Sequence, residues 1–256
     1  MTKVREIYEF MDSFAPFGSA LDFDNVGLLV GGGEREVEKA LVALDITHQV
    51  VAQAIAFGAQ LIVSHHPVIF HPLKSLGPNE VPYLLAKAEI AAICAHTNLD
   101  LSEDFGVNRC LAETIGIDNL RGMDRLPESG VPQWFLGELP RKLSAEAFAA
   151  LVREKLSAGS VRYTNGGGTV KTVGLLSGAG GDFLENASKA GADAFLSGEI
   201  GHHEFLLADA LGIAAVEAGH FDTEIVVVKP LCEKLAARFP NVTFKTADEK
   251  PPVCFL

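Results

Sequence analysis

Twice along the chain a short apolar strand, a helix and a second strand follow one another, and each round ends in a histidine with an acid four residues on. That repetition limits the fold more than any other feature. In the first round, residues 40–46 (ALVALDI) read as a strand and residues 49–57 as a helix stopped by Gly58. Leu61–Ser64 is a second strand and runs into His65-His66-Pro67. Residues 82–88 are helical, and residues 90–95 form a strand that ends at His96, with Asp100 four positions further. In the second round the strand covers residues 172–176, the helix 183–190, the next strand 194–197 and the next helix 203–211. A strand over 213–216 then leads to Gly219-His220, with Glu224 four positions on. Gly58-Ala59 matches Gly191-Ala192, Ser64 matches Ser197, and His-x-x-x-Asp matches His-x-x-x-Glu. Matches of this kind favour a duplicated unit over chance strand–helix alternation. Strands alternating with helices predict an α/β fold around parallel or mixed sheets.

An amphipathic helix over residues 4–14 precedes the first round. Between the rounds, residues 121–171 hold the only tryptophan, Trp134, and a helix over 145–156 with Ser144 as its N-cap. Gly166-Gly167-Gly168 lacks the lysine and hydroxyl residue of a phosphate loop and reads as a turn. The expected division is a first repeat lobe over residues 1–124 and a second over 125–256.

At 256 residues the chain can bury a core without disulfides or a structural metal. Its four cysteines form no CxxC pair and read as small buried thiols of a reduced, cytoplasmic protein. The first residues lack the apolar core of a signal peptide, and no run of about 18 uncharged apolar residues predicts a membrane span. With 33 acids, 21 bases and a formal charge of −12, nonspecific binding to nucleic acid is disfavoured.

Six of the eight histidines fall in short clusters just past predicted strand ends, the edge of an α/β sheet where ligands bind. Imidazole and carboxylate together suit zinc, iron, manganese or nickel, and the lack of a local cysteine pair argues against a closed zinc–thiolate site. His65 and His66 are adjacent, so in extended backbone they point in opposite directions and reach two ions or flank one pocket. His96 reads as a residue orienting Asp100 or as a strand-end histidine. His202 and His203 read equally as a helix-start pair, and His48 and His71 as surface residues. Turn and cap chemistry accounts for Asp22, Asp24 and Asn25.

Taken together, several segments resemble the NIF-three-like family, also called GTP cyclohydrolase 1 type 2 homologs. They are residues 24–31 (DNVGLLVG), 44–47 (LDIT), 64–70 (SHHPVIF) with 72–76 (PLKSL), 96–100 (HTNLD), 197–199 (SGE) with His203, and 219–224 (GHFDTE). The resemblance runs in order over nearly the whole chain. It implies two intertwined α/β lobes with an internal repeat, in a compact form without the long insert some members carry, and two divalent metal ions in the cleft between the lobes. Carried over, the ligands are His65, His66, Asp100, His220 and Glu224, with Glu224 as the bridge. It also implies a homohexameric ring built as a trimer of dimers. One departure is residues 197–203 (SGEIGHH), where the family more often reads like TGDIKYH.

The clustered ligands lead to a metal-dependent hydrolase with a metal-activated water, and the resemblance implies GTP as its substrate, with another nucleotide or a different small molecule as the alternatives. Glu199 and His96 are its candidate catalytic acid and base. Lys74 and Arg109 are the nearest candidate phosphate anchors. The alternative is a non-catalytic, ring-shaped metal-binding scaffold or regulatory protein.

Overall fold

A computed structural model describes residues 1–255. The chain divides into two units, one made of residues 1–100 and 228–250 and the other of residues 101–227 and 251–255. Along the first unit run α1 (Val4–Asp12), β1 (Gly27–Val30), β2 (Lys39–Ala43), α2 (His48–Phe57), β3 (Leu61–Ser64), α3 (Val81–Lys87), β4 (Ala91–Cys94) and α4 (Thr97–Asp100). The second unit carries α5 (Val107–Ile115), β5 (Asp118–Met123), β6 (Trp134–Ser144), α6 (Ala145–Leu156), β7 (Arg162–Tyr163) and β8 (Thr169–Ala179). It continues through α7 (Leu184–Lys189), β9 (Ala194–Glu199), α8 (His202–Leu211), β10 (Ala214–Glu217) and α9 (His220–Glu224). The chain then returns to the first unit with α10 (Val228–Arg238) and β11 (Thr243–Thr246).

The first sheet has the order β1-β4-β3-β2-β11, and the second β5-β6-β8-β9-β10-β7. In both, three consecutive strands lie parallel: β2, β3 and β4 in one, β8, β9 and β10 in the other. Antiparallel strands flank these triplets, β1 beside β4, β6 beside β8 and β7 beside β10. Both sheets are therefore mixed, and the repeated order in the sequence is a repeated topology.

Physical chemistry explains why these segments were readable. Every residue of β3 and β4 is buried. Strands covered on both faces lose the period-2 alternation and appear as continuous apolar runs. Leu41, Val50, Ala54, Ile62, Leu85 and Ala92 share one core, with α2 and α3 against the sheet. Trp134, Leu184, Phe195, Ala208 and Ala215 share another in the second unit. The α6 N-cap is Ser144, whose hydroxyl accepts from the Ala147 N–H. Residues 166–168 form a turn and a bend. Cys94, Cys110 and Cys232 are buried free thiols, whereas Cys254 is exposed. Among the described residues, no helix is long and apolar enough to cross a membrane.

Candidate metal-binding residues

Three imidazoles gather at the carboxyl ends of the first unit's parallel strands. His65 and His66 follow β3, and His96 follows β4. The His65 N–H donates to the Ala43 carbonyl and the His66 N–H to the Leu44 carbonyl, so strand-like pairing persists past β3. The chain bends at these two residues. Their rings therefore do not point to opposite faces as an ideal strand would require; their centroids lie 5.0 Å apart. His96 is 5.2 Å from His65 and 5.5 Å from His66, centroid to centroid. One ring nitrogen from each of the three lies within 4.8 Å of the other two.

What each Nδ1 touches fixes the chemistry of these rings. The Nδ1 of His65 is 2.9 Å from the Ala95 carbonyl, that of His66 is 2.9 Å from Asp45 Oδ1, and that of His96 is 2.9 Å from Asp24 Oδ1. A carbonyl or carboxylate can only accept, so the ring proton sits on Nδ1 and Nε2 is the unprotonated nitrogen, the one that can act as an electron-pair donor. Backbone oxygens of the pair are held as well. The Cys94 thiol donates to the His65 carbonyl and the Ser64 hydroxyl to the His66 carbonyl. Burial pushes the Cys94 thiol well above its ordinary pKa, so it stays protonated and keeps donating. Asp100, on α4, brings its Oδ1 to 3.4 Å from His65 Nε2.

Asp24 is the residue that sequence reading missed. Local cap chemistry is present, since its Oδ1 accepts from the Asn25 N–H. The carboxylate also accepts from His96 Nδ1 and from both the N–H and hydroxyl of Thr97. Burial alone would raise its pKa, but the His96 and Thr97 hydrogen bonds outweigh it and hold the group at about 2. The signal was the acid just before a short strand that opens on a glycine; its partner 72 positions away was not readable.

In the second unit the arrangement is acidic. Glu199 closes β9, His220 opens α9 and Glu224 lies one helical turn later. His220 Nδ1 is 2.8 Å from Glu199 Oε1, and its Nε2 is 3.2 Å from Glu224 Oε2. Glu224 is only 3% exposed. Glu224 first, and Glu199 after it, stabilise the imidazolium against burial and raise the His220 pKa to about 9. A glycine makes room for this clamp. Gly178 has φ +60°, and a Cβ there would run into Glu224 Oε1 and come within 3.3 Å of His220 Nε2. Only a residue with no side chain fits beside both groups.

The remaining sequence candidates belong to none of these clusters. His48 and His71 are exposed, His48 bonded to the Asn79 carbonyl. His202 and His203 are exposed at the start of α8. Lys74 is exposed, and the Arg109 guanidinium donates to the Glu103 carbonyl. Of the five carried-over ligands, His65, His66 and Asp100 belong to the first unit, and His220 and Glu224 to the second.

Imidazole nitrogen and buried carboxylate oxygen fit a borderline divalent ion. Within the first unit the fit rests on the three imidazoles whose ring nitrogens lie within 4.8 Å of one another, each with Nδ1 on an oxygen acceptor.

Comparison with known proteins agrees along the whole chain. Residues 2–252 match the family described as Duf34/NIF3 (NGG1p interacting factor 3). A Clostridium perfringens protein named GTP cyclohydrolase 1 type 2 homolog is 31% identical, covering 99% of this chain and 100% of its own. A Pyrococcus abyssi protein of the same name is 32% identical over 91% of this chain and 93% of its own. Among solved structures, the Staphylococcus aureus hypothetical protein SA1388 superimposes with a TM-score of 0.92 at 28% identity, covering 100% of this chain and 99% of its own. HcgD from Methanocaldococcus jannaschii, in its reduced form, gives 0.78 at 28% identity over 96% of this chain and 98% of its own. Profile, relatives and fold agree: the chain belongs to the Duf34/NIF3 family.

Proposed function

We propose that this protein binds a pair of divalent metal ions and works as a metal-dependent hydrolase on a nucleotide such as GTP or on another small molecule. The observation that carries the reading is the set of three imidazoles in the first unit, each with Nδ1 on an oxygen acceptor and its other ring nitrogen facing its neighbours. Histidines satisfied for packing alone have no need of this common tautomer. In this reading His65, His66, Asp100, His220 and Glu224 would hold the metal, and their imidazole and carboxylate donors would supply its ligands. Zinc, iron, manganese and nickel all suit the donors.

A bound divalent pair supplies Lewis acidity and a water of lowered pKa. The chain's own residues then divide the remaining work. Asp24 keeps the His96 proton on Nδ1, so His96 Nε2 is the proton acceptor. Glu199, the second sequence candidate for acid–base work, has a carboxylate oxygen on His220 Nδ1, and the reading gives it the orientation of that ring. The name shared by the relatives supports the choice of GTP as first substrate to try. Assembly into a hexameric ring in the cytoplasm belongs to the same proposal. The apolar face of α8, where Leu206 is 60% exposed beside Leu207 and Leu211, supports self-association.

Metal analysis with turnover on nucleotides and phosphoesters tests the reading. About two ions per chain, with hydrolysis abolished in Glu224→Gln while the oligomer persists, is the expected result. Two ions with no turnover on any substrate, and an oligomer lost in that variant, would favour a metal-binding scaffold. No bound metal would remove the proposal.

A further inference from the structure

We infer that Glu249, on the segment after β11, is a positioning residue for the His66 imidazole and acts through Asp45. The inference rests on the metal-binding reading for its consequence, and on geometry within the first unit for its substance.

Pairing of β11 with β2 ends at Thr246 and Val42, and the Ala247 N–H then donates to the Val42 carbonyl. Beyond that point the main chains stop pairing and a side chain takes over. One oxygen of Glu249 accepts from the Leu44 N–H at 2.8 Å and the other from the Asp45 N–H at 2.9 Å. Two consecutive amides on one carboxylate fix the peptide joining them. Directly beyond, Asp45 places Oδ1 2.9 Å from His66 Nδ1, while the Leu44 carbonyl accepts from the His66 N–H.

Two facts separate this role from simple attachment of the C-terminal segment. Attachment is already provided next door, where Gln53 and the Asp248 main chain exchange two hydrogen bonds. And Asp45 has a side chain 44% exposed, so packing alone does not choose its rotamer. A half-exposed aspartate beside a second carboxylate keeps its hydrogen bond to the ring most firmly when its backbone is held. Glu249 holds that backbone and so aims Asp45 at the ring. Burial raises the Glu249 pKa, the ordinary cost of keeping a carboxyl group in such a place.

The test uses full-length protein with ring-labelled histidine. In alkaline buffer without metal, the wild-type His66 ring should show protonated Nδ1 and unprotonated Nε2. In Glu249→Gln one backbone amide loses its acceptor, and the His66 ring nitrogens should shift toward a tautomer mixture while His65 and His96 stay put. Co(II) affinity, measured by competition with a chromophoric chelator, should fall about tenfold. Asp45→Asn should produce the same signature, and adding Glu249→Gln to it should change neither readout further, because both act through one ring. Gln53→Ala, which loosens the segment without touching the carboxylate, should leave His66 unaltered.

An unchanged His66 spectrum with Co(II) affinity within about twofold of wild type would overturn the inference and leave the metal reading standing. Additive losses in the double variant would overturn it as well. If wild-type protein takes up no Co(II), the functional reading fails, and the ring spectrum of Glu249→Gln still decides the positioning role.

Discussion

The two units solve one problem in opposite ways. Both carry three parallel strands with chemically active side chains at their carboxyl ends. In the first unit each imidazole sets its Nδ1 on an oxygen acceptor, which keeps the ring proton there and leaves Nε2 unprotonated. In the second, the imidazole of His220 lies between two carboxylates and holds both ring protons at neutral pH. The first set is therefore ready to donate electron pairs. The second must release a proton before it can. Duplicated topology sets where the groups stand, and the neighbours of each ring set what it can do.

The largest effect should come from removing the buried acid of the second set. Glu224→Gln should weaken Zn(II) binding by more than about 100-fold in chelator competition, since a ligand is lost rather than a supporting partner. An affinity equal to wild type would show that the second set plays no part in metal binding.

Next in size is the glycine that makes room for that acid. Gly178→Ala forces a side chain onto Glu224 at a backbone angle that favours glycine. The expected cost is about 2–3 kcal/mol in urea unfolding of metal-free protein. No change in midpoint would mean that the clamp has slack.

Asp24→Asn probes the first set. It exchanges a charge-assisted partner of His96 and Thr97 for a weaker one, at about 1–2 kcal/mol of stability near neutral pH. Asp24 has a depressed folded pKa of about 2, so its stabilising effect is complete above the unfolded value near 4 and is lost as pH falls through 2. The difference between wild type and variant should therefore shrink on acidification over that range, followed by unfolding at each pH.

The smallest effect separates the two sets by proton count. The His220 pKa is raised, so its stabilising contribution is complete below the unfolded value near 6.5 and is lost as pH rises through about 9. Metal-free wild type should lose stability over that interval, and Glu224→Gln should lose much less. Calorimetry of zinc binding near neutral pH in buffers of different ionisation heat should show about one proton released per chain from this ring. No buffer dependence would put the bare tautomer in both sets and erase the contrast.

How much of this was legible in the sequence follows from which distances matter. Strand ends were readable because β3 and β4 are continuous apolar runs, and the histidines because they stand where those runs stop. His220 and Glu224 were readable because one helical turn separates them. The supporting acids were not. Asp24 meets His96 across 72 residues and Glu249 meets Asp45 across 204, and locally each resembles turn or tail chemistry. The spread of adjacent histidines to opposite faces also did not occur, because the chain bends at His65 and His66 instead of remaining an ideal strand. Nor does anything in α10 itself announce that residues 228–250 rejoin the first unit, since helix-forming residues carry no address.

Ring-nitrogen spectra of the histidines recorded during a zinc titration test the central claim most directly. The unprotonated Nε2 signals of His65 and His66 should move to metal-bound positions within about two equivalents, with the Nδ1 protons retained. Ring nitrogens that stay unmoved at a large excess of zinc, in folded protein, would contradict it.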